Sequence, residues 1–228
     1  MIFVDEYSVS FVKKTVFSCA VLLTILICIN LLFGVTWFSN NQIVQTTSVE
    51  NSVHQWLLTI FLVVYFLRLQ ITVWVFQKRK WTWLETIIIS VLVPLGLYMF
   101  TIWGKNNSLP IGIIDIIGIV LYVSGSYINS KSEFSRYSWK KKKENRRHIY
   151  TEGLFKYSMH INYLGDILLF SGFAMITNCA VSIMIPTVML LNFMFNIIPS
   201  LDRYLGKKYG SEFYAYEKKT RKLVPYIY

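Results

Sequence analysis

The chain of 228 residues is predicted to be an all-α integral membrane protein of about six transmembrane helices, in a range of five to seven, with both termini cytoplasmic. Three observations predict this class. Hydrophobic residues make up 54% of the chain and aromatic ones 17%, with a mean hydropathy of +0.46, too apolar for an ordinary soluble domain. The apolar residues fall into runs of membrane-crossing length, since about 20 residues at roughly 1.5 Å each traverse the hydrocarbon layer. The Lys and Arg residues sit between those runs in an alternating pattern.

The runs cover 15–36, 55–76, 84–103, 111–129, 161–177 and 179–198. The first follows Lys13 and Lys14 as a signal peptide would. It is too long for one, lacks a small-residue cleavage site and precedes further spans, so it is expected to stay as an anchor. The fifth is the shortest, and Thr177, Asn178 and Cys179 join it to the sixth as a tight hairpin. Lys and Arg resist translocation in short loops. The 37–54 loop and the 177–179 turn have none and the 104–110 loop has only Lys105, which places these segments outside. Lys13 and Lys14, the "QKRK" at 77–80, nine Lys or Arg between 131 and 158 and seven between 203 and 222 lie inside. The net charge of +11 is thus read as topology, and no separate basic domain suggests nucleic acid. Cys19, Cys28 and Cys179 show neither metal-ligand nor disulfide spacing. No internal repeat divides the chain, and one domain over 1–228 is the simplest description.

Polar residues within or beside the spans are costly and mark candidate sites. Arg68 lies about eight residues from the inner end of span two, with Tyr65 and Thr72 three and four residues away on the same face. Either Arg68 reaches the head groups, or this stripe lines a cavity with a phenolic proton at Tyr65 and a fixed charge at Arg68. Trp81 and Trp83 with Lys78, Arg79 and Lys80 fit an interface belt, and Arg79 also counts among the cations open to an anionic cofactor. Asp115 is expected to be a wet carboxylate at the outer surface. Asn129, Glu133, Arg136 and Lys140 recur at spacings of four, three and four, so span four is expected to continue into the cytoplasm as a helix with one polar stripe.

Asn162 and Asp166, four apart at the start of span five, form a second such face. One reading of the stripes is a solvated helix surface and a wetted helix end. The other brings them together as an Asn, Glu, Asn, Asp cluster ringed by Arg136, Lys140 and Lys156, with carboxylates for hydroxyl or amide groups and cations for phosphates. Gly165 allows a close helix or ligand approach. Asn192 and Asn196 are expected to bond a neighbouring helix. No Walker loop, GxGxxG, HExxH, CxxC or nucleophile elbow is present, and His54, His148 and His160 are too scattered for a metal site.

The segments "INSKSEFSRYSW", "IYTEGLFKYSMHINYLGDILLFSGFAM" and "LDRYLGKKYGSEFYAYEKKTRKLVPYIY" carry GLF-x-Y, H-x-N-Y-x-G-D and Y-x-x-x-T-x-x-x-x-P in that order. Over roughly the last hundred residues the chain resembles the C-terminal domain of the steroid 5-alpha-reductase family, closest to its uncharacterised bacterial branches. The same architecture serves membrane isoprenylcysteine and phospholipid methyltransferases. The resemblance implies NADPH bound from the cytoplasmic side of a bacterial cell membrane, with hydride passed to an activated C=C of a lipophilic substrate entering from the bilayer. It divides the chain into spans on the lipid and substrate side, 1–110, and a cofactor-binding region, 111–228. It implies cofactor roles for Asn129, Glu133, Asn162, Asp166 and Tyr204, and it likens Tyr65 and Arg68 to a family Tyr-x-x-Arg whose Tyr polarises the substrate carbonyl.

Where many relatives read Arg-His-Pro-Asn-Tyr, this chain reads Met159, His160, Ile161, Asn162 and Tyr163. That Arg-His-Pro and a later Glu hold S-adenosylmethionine in the methyltransferases, and the nearest acidic residue here is Asp202. These departures favour a reductase using NADPH over an S-adenosylmethionine-dependent methyltransferase, and they leave His160 as a relic of the longer motif. A lipid-binding or scaffold protein without chemistry is the third reading. The acidic partner that the family gives its Tyr is not identifiable in the sequence.

Overall fold

A computed structural model describes residues 10–34, 49–107 and 109–228, with the side chains of 49–52 left aside. Expectations for 35–48 therefore lie outside the described residues. The fold is helical, and among the described residues no strand occurs beyond an isolated parallel bridge between Ser158 and Arg221. The described residues form eight α-helices in order: α1 Phe11–Phe33, α2 Val49–Ile71, α3 Trp83–Gly104, α4 Ile113–Lys141, α5 Ile161–Ile176, α6 Met184–Asn192, α7 Ile198–Tyr209 and α8 Ser211–Glu217. A π turn, Thr72–Phe76, prolongs α2, and a second, Phe193–Ile197, joins α6 to α7.

Among the described residues, five segments are long and apolar enough to cross a membrane, namely α1, Val53–Phe76, α3, α4 and Ala180–Tyr209. Their outward faces carry Leu23, Leu67, Ile87, Val120 and Val188, each at least 58% exposed, an apolar coat suited to lipid. The fifth expected span is the one that falls short. Its 16 residues reach about 24 Å at 1.5 Å per residue, against a hydrocarbon layer of about 30 Å. Both its ends meet buried polar protein groups, His160 at one and Thr177 at the other, so its backbone is not left open to lipid.

Local chemistry sets the boundaries. Thr82 caps α3 by accepting from the Glu85 N–H at 3.2 Å. Gly34, at φ 62°, closes α1 in the left-handed conformation that a glycine adopts without strain. Asp115 is corrected by the structure. It is 1% exposed, accepts from the Gly112 N–H at 2.8 Å and Asn178 Nδ2 at 3.0 Å, and pairs with His54 Nε2 at 3.1 Å. The 177–179 turn folds over the first turn of α4 and takes this carboxylate out of water. Asn192 and Asn196 bond each other within one helix at 3.1 Å, not a neighbouring helix.

The core has two seams. α1 packs along α3 with a stripe of Phe17, Val21, Ile25, Cys28 and Leu32, all at most 4% exposed. α4 and α5 meet more closely. A Cβ on Gly125 would stand 2.5 Å from the Gly165 oxygen, and one on Gly172 2.6 Å from the Gly118 oxygen, so the two backbones touch. Between the seams lies an aromatic cluster from α2 to α5, with Phe61 stacked on Tyr122 at 3.7 Å and Phe100 on Phe173 at 5.3 Å.

Candidate cofactor cleft

Span four continues as α4 to Lys141, as its polar stripe predicts, and its last two turns form one wall of a cleft of about 910 Å³. This lies near the top of the roughly 300–1,000 Å³ range of small-molecule sites. The 76–79 segment, the start of α5, the 146–155 loop, α7 and α8 complete the lining. Lys78, Arg79, Arg136, Lys140, Lys141, Arg146 and Lys208 supply seven cations, against the single carboxylate of Glu133 among the described lining residues. Tyr137, Tyr150, Phe155, Tyr163, Tyr204 and Tyr209 supply aromatic faces. Cations beside flat rings suit a ligand with phosphates and planar heterocycles.

The two stripes meet because α4 and α5 touch through their glycines. Asn129 Nδ2 donates to the Asn162 backbone oxygen at 3.0 Å, and Asn162 Nδ2 donates to Glu133 Oε1 at 3.0 Å. Arg136 Nη2 adds hydrogen bonds of 2.7 and 2.6 Å to the two Glu133 oxygens. The fourth expected member points elsewhere. Asp166, one helical turn deeper, accepts from Arg68 Nη2 of α2 at 3.2 Å. Arg68 therefore pairs within the protein and does not reach for head groups, and its guanidinium lies 5.5 Å from the Tyr65 ring. Thr72 bonds back to the Arg68 carbonyl of its own helix at 3.1 Å.

A polar ladder results, running from Arg136, Glu133 and Asn162 at the cleft, one turn along α5, to Asp166, Arg68 and Tyr65. Of the expected site residues, Arg79, Glu133, Arg136, Lys140, Asn162 and Tyr204 line the cleft. Tyr65 is 4% exposed, with its ring edge-on to Phe170 at 5.5 Å, and with buried Asn129 and the half-buried Arg68 and Asp166 it forms the layer behind the cleft. Asn129 Oδ1 there is buried without a hydrogen-bond partner. Lys156 is exposed and takes no part in the ring of cations.

Several lining residues also have protein partners of their own. Arg79 forms a two-pronged pair with Glu85 in the first turn of α3, with Nη1 to Oε2 at 2.8 Å. Lys140 Nζ donates to the His148 and Arg146 carbonyls and to the Tyr209 hydroxyl, the last at 3.1 Å, and so fixes the loop that carries Arg146. Lys208 Nζ donates to the Tyr204 hydroxyl at 2.9 Å.

His160 is corrected from a relic to a structural centre. It is 2% exposed, pairs through Nε2 with Asp202 Oδ1 at 2.8 Å, and stacks on Tyr163, with 5.7 Å between ring centres. Lys222 Nζ stands 3.0 Å from the other Asp202 oxygen and 3.3 Å from Glu217. Burial alone pulls the Lys222 ammonium down, but these two carboxylates outweigh it and hold its pKa above that of an ordinary lysine.

The chain's tail is strapped to the mouth of α5. The Met159 and His160 N–H groups donate to the Arg221 and Lys222 carbonyls at 2.8 and 2.9 Å, and Tyr216 Oη donates to the Phe155 carbonyl. All three motifs thus converge on one wall. Sequence reasoning missed Gln77, Tyr163, Tyr209 and the His160–Asp202 pair, because nothing in local spacing announces a partner 42 residues away.

Residues 72–220 match the model of a family described as protein of unknown function, DUF1295, and the chain belongs to that family. The family is associated with steroid 5-alpha-reductase-like membrane proteins. No curated protein matches the chain.

Proposed function

We propose that the protein is a membrane NADPH-dependent reductase that transfers hydride to the activated C=C of a lipophilic, enone-like substrate. The observation that carries this reading is the polar ladder, which runs from a cation-lined cleft to a buried phenol one turn behind it. The residues fit the cofactor, since seven cations face one carboxylate across the cleft, beside aromatic faces that suit planar rings. Arg79, Arg136, Lys140 and Tyr204 would hold it, with Glu133 and Asn162 orienting its polar groups and Asn129 holding Asn162 from behind. Basic residues favour NADPH over NADH, because a 2'-phosphate wants cations.

When bound, NADPH supplies the hydride. Tyr65 holds a proton at its phenolic oxygen, and donation of that hydrogen bond stabilises the negative charge that grows on a substrate carbonyl. Arg68 places a fixed positive charge beside the same ring, and Asp166 holds Arg68 there. In this reading the cleft faces the cytoplasm of a bacterial cell, and substrate enters from the bilayer on the side of residues 1–110.

The runner-up is an S-adenosylmethionine-dependent lipid methyltransferase, favoured by one observation, the buried His160–Asp202 pair beside the cleft. Titration of the purified protein with NADPH and with S-adenosylmethionine separates the readings. NADPH alone is expected to release heat and raise the melting temperature. Binding of S-adenosylmethionine alone would overturn the reductase, and binding of neither would leave a scaffold or lipid-binding role.

A further inference from the structure

Gln77 stands at the end of the π turn that prolongs α2, in the wall of the cleft. Its backbone is fixed from several sides. Its N–H closes the π turn on the Thr72 carbonyl at 2.9 Å, and its carbonyl accepts from Lys14 Nζ. Four residues on, the Trp81 N–H donates to Ser10 Oγ at 2.9 Å and its carbonyl accepts from Lys13 Nζ at 2.6 Å. Lys14 is only 4% exposed, so a cation of the basic end of α1 has been drawn into the protein to hold one carbonyl. Single π turns are frequent at functional sites.

The side chain carried on this fixed backbone is incomplete. Gln77 Oε1 is buried and accepts no hydrogen bond. A buried acceptor without a partner costs folding free energy, and native proteins leave few of them. Its surroundings supply cations, which offer donors and no acceptor. Glu133, the carboxylate of the lining, already accepts from Arg136 and Asn162. A ligand drawn in by its phosphates would still need an acceptor for its own N–H or O–H groups.

We propose that Gln77 is a ligand-binding residue whose Oε1 accepts a hydrogen bond from an amide, amine or hydroxyl of the bound dinucleotide, and that Lys14 is the positioning residue that holds it there. The inference rests on the dinucleotide reading above. It also gives α1, which lies outside the matched family region, a part in the cofactor site.

The test is calorimetric titration of full-length protein in lipid nanodiscs with NADPH, comparing wild type with Gln77→Leu and Lys14→Met. Loss of affinity on the order of tenfold is expected in both variants. The ligand-free melting temperature of Gln77→Leu should stay level or rise, because an unsatisfied acceptor has been removed. A purely structural role would lower it. Two NADPH analogues identify the donor, one with a methyl ketone in place of the carboxamide and one with oxygen in place of the adenine amine. The analogue that lacks the matched donor should bind wild type and Gln77→Leu alike, and a full difference with both assigns the donor to a ribose hydroxyl. Where Gln77→Leu fails to fold, Gln77→Met, of similar length and unbranched, takes its place. Equal NADPH affinity in wild type and variant overturns the inference while the reductase reading stands. Absence of NADPH binding to wild type overturns the reading itself, and the inference with it.

Discussion

The α1/α3 seam and the α4/α5 seam do the same job by opposite means. In the first, branched and aromatic side chains interdigitate along a stripe from Phe17 to Leu32. In the second, Gly118 and Gly125 of α4 face Gly172 and Gly165 of α5, and backbone lies on backbone. A side-chain seam adjusts by changing rotamers, whereas a backbone seam has nothing to adjust. The candidate site stands on the rigid seam. The distances between Glu133 and Asn162, and between Asn129 and the Asn162 carbonyl, follow directly from it.

The largest expected effect tests the seams against each other. Gly125→Ala puts a methyl group 2.5 Å from the Gly165 oxygen and Leu169 nitrogen, and should cost about 3 kcal/mol or more, beyond the roughly 1 kcal/mol that alanine gains in helix propensity. Ile25→Val on α1 should cost only about 0.5–1.5 kcal/mol. Melting of both variants in one detergent checks this, and similar losses would show that α4 and α5 move apart without penalty.

Next comes the far end of the ladder. Tyr65→Phe should lower turnover about 100-fold or more while NADPH affinity holds, read from single-turnover rates beside calorimetry. A parallel fall in affinity would make Tyr65 part of the packing alone. Asn162→Ala, at the seam itself, should weaken NADPH binding about tenfold, as should Glu133→Ala. Unchanged affinity in both would separate the seam from the site.

Lys222→Met, on the tail strap, should have the smallest effect, about 0–1 kcal/mol, since its ion pairs are over a third exposed on the lysine side. Because the folded pKa of Lys222 is raised, its contribution is complete below the ordinary lysine value of about 10.4 and fades as pH climbs through the folded value. Wild type and variant should therefore converge in melting temperature at strongly alkaline pH.

Much of the frame was legible in the sequence because hydropathy and charge are local. The long spans and the extension of α4 follow from run lengths and from four-residue spacings, which also offered the meeting of Glu133 with Asn162 as one of two readings. Asp166 shares that spacing yet turns to Arg68, because a helix face is wide enough to serve two neighbours and spacing does not choose between them. Asp115 and His160 went unread for a different reason. Their partners, His54 and Asp202, lie 61 and 42 residues away, and burial arises only when distant turns close over them. The glycine seam did leave a signal. Gly118 and Gly125, like Gly165 and Gly172, stand seven residues apart, two helical turns on one face.

That seam also divides the cleft by how freely it can change. One wall, on α4 and α5, stands on a seam set by main-chain contact, with almost no room for an added atom at Gly125, Gly165 or Gly172. The opposite wall, on 76–79, the 146–155 loop and α7, is built of long side chains over connecting segments. Descendants of one ancestral chain can therefore vary what they accept by rewriting the second wall, while the first keeps the same polar reference points through every revision.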